Sequence, residues 1–143
     1  MRPDEFASHL RACVDPKWIR PPASARDIAS VEERLGILVS AEMRAFYECV
    51  GGCDAETPPE QGWVTFWPLE RWERATTVDE DDGADLILVA DYSLSSWSYA
   101  IRPSGDADTA VLIVGAGTPR VVAPSFSAFV AAVFKSDRSI YPD

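Results

Sequence analysis

Few side chains in this sequence could do chemistry: one imidazole, His9; three thiols, Cys13, Cys49 and Cys53; and a run of carboxylates from Asp79 to Asp85. With a single histidine, acid–base catalysis has no second imidazole to draw on, and any Ser-His-Asp grouping would have to be built around His9. His9 lies on a short helix near its apolar stripe, where a structural or surface role accounts for it. The pairs His9/Cys13 and Cys49/Cys53 each place two soft ligands four residues apart, a spacing able to present both to one zinc ion. Cys13 and Cys49, however, fall where a small apolar residue suits the inner face of a helix, and free cysteine is commonly buried. No metal or cofactor is expected.

Asp79, Glu80, Asp81, Asp82 and Asp85 crowd around Gly83. A calcium loop needs glycine at its sixth position and a bidentate Glu at its twelfth, and counting from Gly83 puts Val78 first and Val89 last, so calcium is excluded. Two readings stay open, a solvated acidic loop and a docking patch for a basic partner. Gly115-Ala116-Gly117 lacks the third glycine of a dinucleotide loop, because position 120 is Arg120, and Val121-Val122 continues as strand; a hairpin turn is expected. Trp97 and Tyr99 alternate with serines and so share one face of a strand. On a face without helices they would form an exposed aromatic pair of the kind enriched in binding hot spots, and on a covered face they are core. The candidate partner-binding residues are thus Asp79, Glu80, Asp81, Asp82, Asp85, Trp97 and Tyr99.

The balance of 23 acidic against 13 basic residues gives a net charge of -10. Such a surface repels nucleic acid and anionic membranes, and attracts a basic protein partner. No stretch nears the roughly 20 apolar residues that span a bilayer, and MRPDEF lacks the layout of a signal peptide. Three cysteines suit a reducing compartment, so a cytoplasmic protein with free thiols is expected. A chain of 143 residues with 47% hydrophobic side chains fits one domain, residues 1–143, with a real core and no need of a staple.

These residues must be positioned by helices at both ends of a β-rich middle. Phe6, Leu10, Cys13 and Val14 form a first helical stripe; Ser24 with Asp27 reads as a capping box opening a second helix that Gly36 closes. Ser40 caps a third, carrying Met43, Phe46, Tyr47 and Val50 up to Gly51-Gly52. Trp63 to Trp67 alternates as a strand, Pro68 to Trp72 makes one or two helical turns, and strands follow at Leu86–Ala90, Trp97–Arg102, Ala110–Val114 and Arg120–Ala123. Ser125 opens a closing helix with Phe126, Phe129, Val130, Val133 and Phe134 on one face. Helices, then a meander, then a helix predict an α+β fold: an antiparallel sheet of about five strands with helices mainly on one face.

Ile28-Ala29-Ser30-Val31-Glu32-Glu33-Arg34-Leu35-Gly36, followed by Phe46 and Gly51-Gly52, resembles the opening motif of the SUKH superfamily, the Smi/Knr type of domain. Phe66-Trp67-Pro68-Leu69-Glu70 resembles its strand-plus-"L-E" element, Val89-Ala90-Asp91-Tyr92-Ser93 its next core strand, and Val122 to Phe129 its closing helix. The resemblance runs from about Ser24 to Phe134. It departs at Val39-Ser40, where members usually carry Leu-Pro, though Ser40 keeps a capping hydroxyl. The resemblance implies a non-enzymatic protein-binding domain, of the bacterial immunity branch that neutralises a toxin by occlusion. The alternative it implies is a regulatory scaffold for a housekeeping partner, as in cell-wall assembly. Occlusion would set the acidic patch against a toxin domain with a basic surface. The chain itself is expected to be a monomer or a weak homodimer.

Overall fold

The computed structural model describes residues 1–57, 63–75, 86–103 and 109–142. Three helices come first: α1 (Pro3–Cys13), α2 (Ala25–Leu35) and α3 (Ala41–Cys49). Ser24 and Asp27 form the reciprocal box that starts α2, the Ser24 hydroxyl accepting from Asp27 N at 3.1 Å and the Asp27 carboxylate from Ser24 N at 2.9 Å. Those bonds, the one from the Ser24 backbone foremost, hold the Asp27 carboxyl below the usual carboxylate range. The helix ends on Gly36 at φ 67°, a left-handed turn that a side chain would strain. Ser40 caps α3 by accepting from Met43 N at 3.1 Å, so the Val39-Ser40 departure keeps the helix start.

Among the described residues six strands follow: β1 (Val64–Phe66), β2 (Glu73–Arg74), β3 (Ile87–Tyr92), β4 (Trp97–Ile101), β5 (Val111–Val114) and β6 (Arg120–Ala123). A 3-10 turn, Leu69–Arg71, joins β1 to β2, and α4 (Phe126–Phe134) closes the fold. Every pairing is antiparallel, in the order β1-β3-β4-β5-β6, with β2 also on β3. β1 and β2 share one edge of β3, β1 beside Ala90–Tyr92 and β2 beside Ile87–Leu88. The α+β architecture with helices at both ends matches the expectation; the extra strand is β2, whose two residues are both exposed and so leave no alternation to read. Gly115 and Gly117, at φ 85° and 86°, make the β5–β6 turn a hairpin.

Period two divides the sheet into faces. Ile87, Ala90, Tyr99, Ile101, Val111 and Ile113 face the helices and join Phe6, Phe46, Phe126 and Phe129 in the main core. The phenylalanines meet edge to face, Phe6–Phe66 at 5.0 Å and Phe46–Phe126 at 5.1 Å between centroids, the geometry aromatic quadrupoles favour. The opposite face carries a smaller buried cluster of Ala75, Leu86, Ala100, Leu112 and Val114. Among the described residues no helix is long and apolar enough to cross a membrane.

Two devices hold the layers in place. Glu42, on α3, accepts from Phe126 N and Thr109 N at 2.9 Å and from Ser127 N at 3.2 Å, setting a carboxylate at the start of α4 where free amide hydrogens and the helix dipole favour it. Gly51 and Gly52 let three backbone segments touch: a Cβ on Gly51 would lie 2.3 Å from the Pro21 carbonyl oxygen, and one on Gly52 2.8 Å from Pro68 N. Beyond them the chain turns along β1, Cys53 N bonding to Phe66 O and Thr57 N to Val64 O. That strip forms one wall of the site described next.

Candidate partner-binding cleft

The acidic run Asp79, Glu80, Asp81, Asp82 and Asp85 lies outside the described residues. The aromatic pair is described, and its members differ. Tyr99 is fully buried on the helix-covered face, its ring 4.7 Å from Phe129 and its hydroxyl donating to the Ile140 carbonyl at 2.9 Å. Burial pushes its hydroxyl up from the ordinary tyrosine range. Trp97 donates to the Tyr99 hydroxyl at 2.9 Å but stays half-buried, stacked flat on Tyr92 at 4.1 Å with Tyr141 edge-on to both. The covered-face alternative thus describes Tyr99, and only Trp97 keeps an edge toward solvent.

His9 is exposed and lies 5.1 Å from the Phe134 ring. Cys13 and Cys49 are half-buried, while Cys53 is buried with its thiol donating to the Ala55 carbonyl. Among the described residues no three His, Cys, Asp or Glu side chains gather where they could hold a metal ion.

A different cluster converges where β1 meets β3. Alternation turns Thr65 and Asp91, which are register partners, to the face away from the helices. Asp91 is a buried carboxylate, its side chain 4% exposed. It accepts from the Trp67 indole N–H at 3.1 Å and from the Ser95 hydroxyl at 2.6 Å. Arg71, delivered by the 3-10 turn, lays its guanidinium 4.2 Å over the Trp67 ring. Its nearest nitrogen is 3.6 Å from Asp91, an ion pair too long for a hydrogen bond. Arg34 on α2 fixes the turn by donating to the Leu69 and Trp72 carbonyls at 2.9 and 3.0 Å. Below it, the Tyr47 hydroxyl donates to the Trp67 carbonyl and accepts from the Trp72 indole, which pins the backbone under the site.

The loop from β3 to β4 supplies the rim. Ser93, Leu94 and Ser95 take φ of 42°, 57° and 63° in succession, a left-handed run that costs on the order of 1 kcal/mol per residue. Side chains hold it there: Ser95 on Asp91, and the Glu56 carboxylate accepting from Leu94 N at 2.8 Å. The result is Leu94 thrust into solvent at 91% exposure. Trp63, also left-handed at φ 53° and partly exposed, sits beside it, its carbonyl accepting from Ser93 N.

Of these groups Glu56, Thr65, Arg71, Asp91, Leu94 and Ser95 line a cleft of about 280 Å³. Asp54 joins Glu56 and Asp91 along its walls, three carboxylates against the one guanidinium of Arg71. Arg20, nearby, is tied to Asp54 at 2.8 Å and to Glu70 at 3.0 Å. The arrangement sets an exposed leucine and a partly exposed tryptophan at the rim of an acidic recess. Sequence reading does not single out Asp91, Arg71 or Leu94. The available signal is the polar break that Asp91 makes in the apolar run Leu86–Ala90, followed by Ser93-Leu94-Ser95-Ser96, a loop with an unsupported leucine.

The family model described as SMI1 / KNR4 family (SUKH-1) matches residues 22–132 of this chain. No protein of curated function matches it significantly.

Proposed function

The chain belongs to the SMI1/KNR4 family (SUKH-1), and we propose that it is a non-enzymatic protein-binding domain, a bacterial cytoplasmic immunity protein that neutralises a toxin domain by covering a basic surface. In this reading residues 1–143 form one domain that presents the Leu94 rim and the acidic cleft to the partner. The observation that carries it is Leu94, 91% exposed on a left-handed loop whose strain is offset by bonds to Asp91 and Glu56. A fold gains nothing for itself by straining backbone to expose a leucine, whereas a binding surface gains a rigid anchor ready for a pocket. The net charge of -10 supplies long-range attraction for a basic partner. Trp97 and the carboxylates Asp79, Glu80, Asp81, Asp82 and Asp85 belong to the same reading as further contacts.

Growth rescue provides the test. Co-expression with a toxin encoded beside this chain restores growth, and Leu94→Asp weakens the complex by about thirtyfold, the loss of one hot spot. Val121→Asp, at a 56% exposed valine on the far edge strand, leaves binding intact. Full rescue by Leu94→Asp would exclude this surface, and a housekeeping protein bound through it would favour the scaffold role.

A further inference from the structure

We infer that the cleft between β1, β3 and the Ser93–Ser96 loop is a socket for one guanidinium group, that of an arginine side chain on the partner's surface; this rests on the protein-binding reading above. Arg71 apart, the polar side chains lining the cleft offer acceptor oxygens. Glu56 uses one oxygen on Leu94 N and keeps the other, Asp54 lines the cleft already paired with Arg20, and Asp91 adds a third carboxylate from a position only 4% exposed. Beside them Thr65, a residue 4% exposed, also lines the cleft, and its hydroxyl has no hydrogen-bond partner among the described residues. A buried hydroxyl left unpaired is unfavourable, so a group at this point is stabilised by filling the space and donating to it.

The complementary ligand carries a positive charge and N–H donors on several sides, without acceptors of its own. Guanidinium has five such donors in a flat fork that meets carboxylates two at a time, and it gives up its water more readily than an ammonium group. Arg71 already places such a group here, 4.2 Å over the Trp67 ring, but it is too far from Asp91 to hydrogen-bond and its side chain is 46% exposed. With Arg20 on Asp54 and Arg71 beside Asp91, Glu56 is the cleft carboxylate without an ion-pair partner among the described residues, and a second guanidinium would neutralise it. A cleft of about 280 Å³ falls just under the roughly 300–1,000 Å³ of small-molecule pockets, a size for one long side chain.

The groove of about 290 Å³ beside α2 offers no such chemistry. Its Arg34 is held by two backbone carbonyls, its Arg20 by Asp54 and Glu70, and its Asp27 by the α2 cap.

The full chain, labelled with ¹⁵N, is titrated at low salt with the peptide acetyl-Gly-Arg-Gly-amide and with its citrulline and lysine counterparts. The arginine peptide moves the Trp67 indole N–H and the Thr65 amide saturably, at least about tenfold more tightly than the neutral citrulline peptide, with lysine in between. Thr65→Val, which keeps the branched shape, weakens binding roughly fivefold, and Glu56→Gln, which keeps an acceptor for Leu94 N, weakens it by a similar factor. Equal response to arginine and citrulline, or no saturable shift at Trp67, overturns the socket. So does a captured partner whose affinity ignores both substitutions, which leaves the protein-binding reading standing. Saturable arginine binding in a chain that rescues no toxin keeps the socket and removes the toxin.

Discussion

Asp91 shows how a residue takes its meaning from distant parts of the chain. By type and place it interrupts a buried strand, and nothing in the sequence near it announces the Trp67 indole 24 positions upstream that donates to it. Its partners become visible only when the register sets β1 beside β3. Asp91→Ala leaves the indole N–H without an acceptor and frees the Ser95 hydroxyl that bends the loop, and should lower stability by about 2–3 kcal/mol, read from urea unfolding midpoints. Cys53 illustrates the opposite case, since burial is the ordinary fate of a cysteine in an apolar setting. Burial raises its thiol above the usual range, so less of it is thiolate at any given pH. With a colorimetric disulfide reagent at pH 8, the half-buried Cys13 and Cys49 should react first and Cys53 only at the rate of unfolding. Three equal fast phases would show that Cys53 is accessible.

At the scale of elements, the chain announces its helices through chemistry local to each end. Ser24 with Asp27, Ser40, Ser125 and Gly36 all occupy the cap positions their types predict. The four longer strands read correctly because alternation or an apolar run marks them; β2 and the 3-10 turn Arg138–Ile140 carry neither signal. What no local pattern reveals is how elements dock. Glu42 carries no signal of its own in the sequence, yet it accepts three amide hydrogens from Thr109, Phe126 and Ser127. Glu42→Ala should cost about 2 kcal/mol, because three part-buried amides lose a charged acceptor, while Glu42→Gln keeps one oxygen and should lose about half as much. No loss in Glu42→Gln would reduce the carboxylate to a plain acceptor. Gly51→Ala should be worse than either by direction and cause: its Cβ meets a backbone oxygen, so the connector at Pro21 must move, and with it the wall of the cleft. The glycine pair was legible as a helix stop, but its close approach to two other segments was not.

For the whole molecule, the net charge of -10 and the buried hydroxyls of the core govern how stability depends on pH. Tyr47 and Tyr99 are both buried, and desolvation, the largest influence on each, holds their hydroxyls above the ordinary tyrosine range. In the unfolded chain these groups ionise near pH 10. Below that the native and unfolded states bind the same protons and stability is unaffected. Above it the unfolded state releases protons that the native state retains, so stability falls as pH rises toward the native values. For two such groups the loss between pH 10 and 11 is about 2 kcal/mol. Cys53, raised for the same reason, adds a loss that begins from about pH 8.5. Urea unfolding followed by tryptophan fluorescence from pH 7 to 11 should therefore show a flat region and then a steepening decline. Tyr47→Phe separates this cause from general repulsion in an already acidic chain: the variant should be less stable at pH 7, since the Trp67 carbonyl loses its hydroxyl donor, but should lose only about half as much between pH 10 and 11. An unchanged slope in that variant would assign the alkaline decline to net charge and not to the buried hydroxyl.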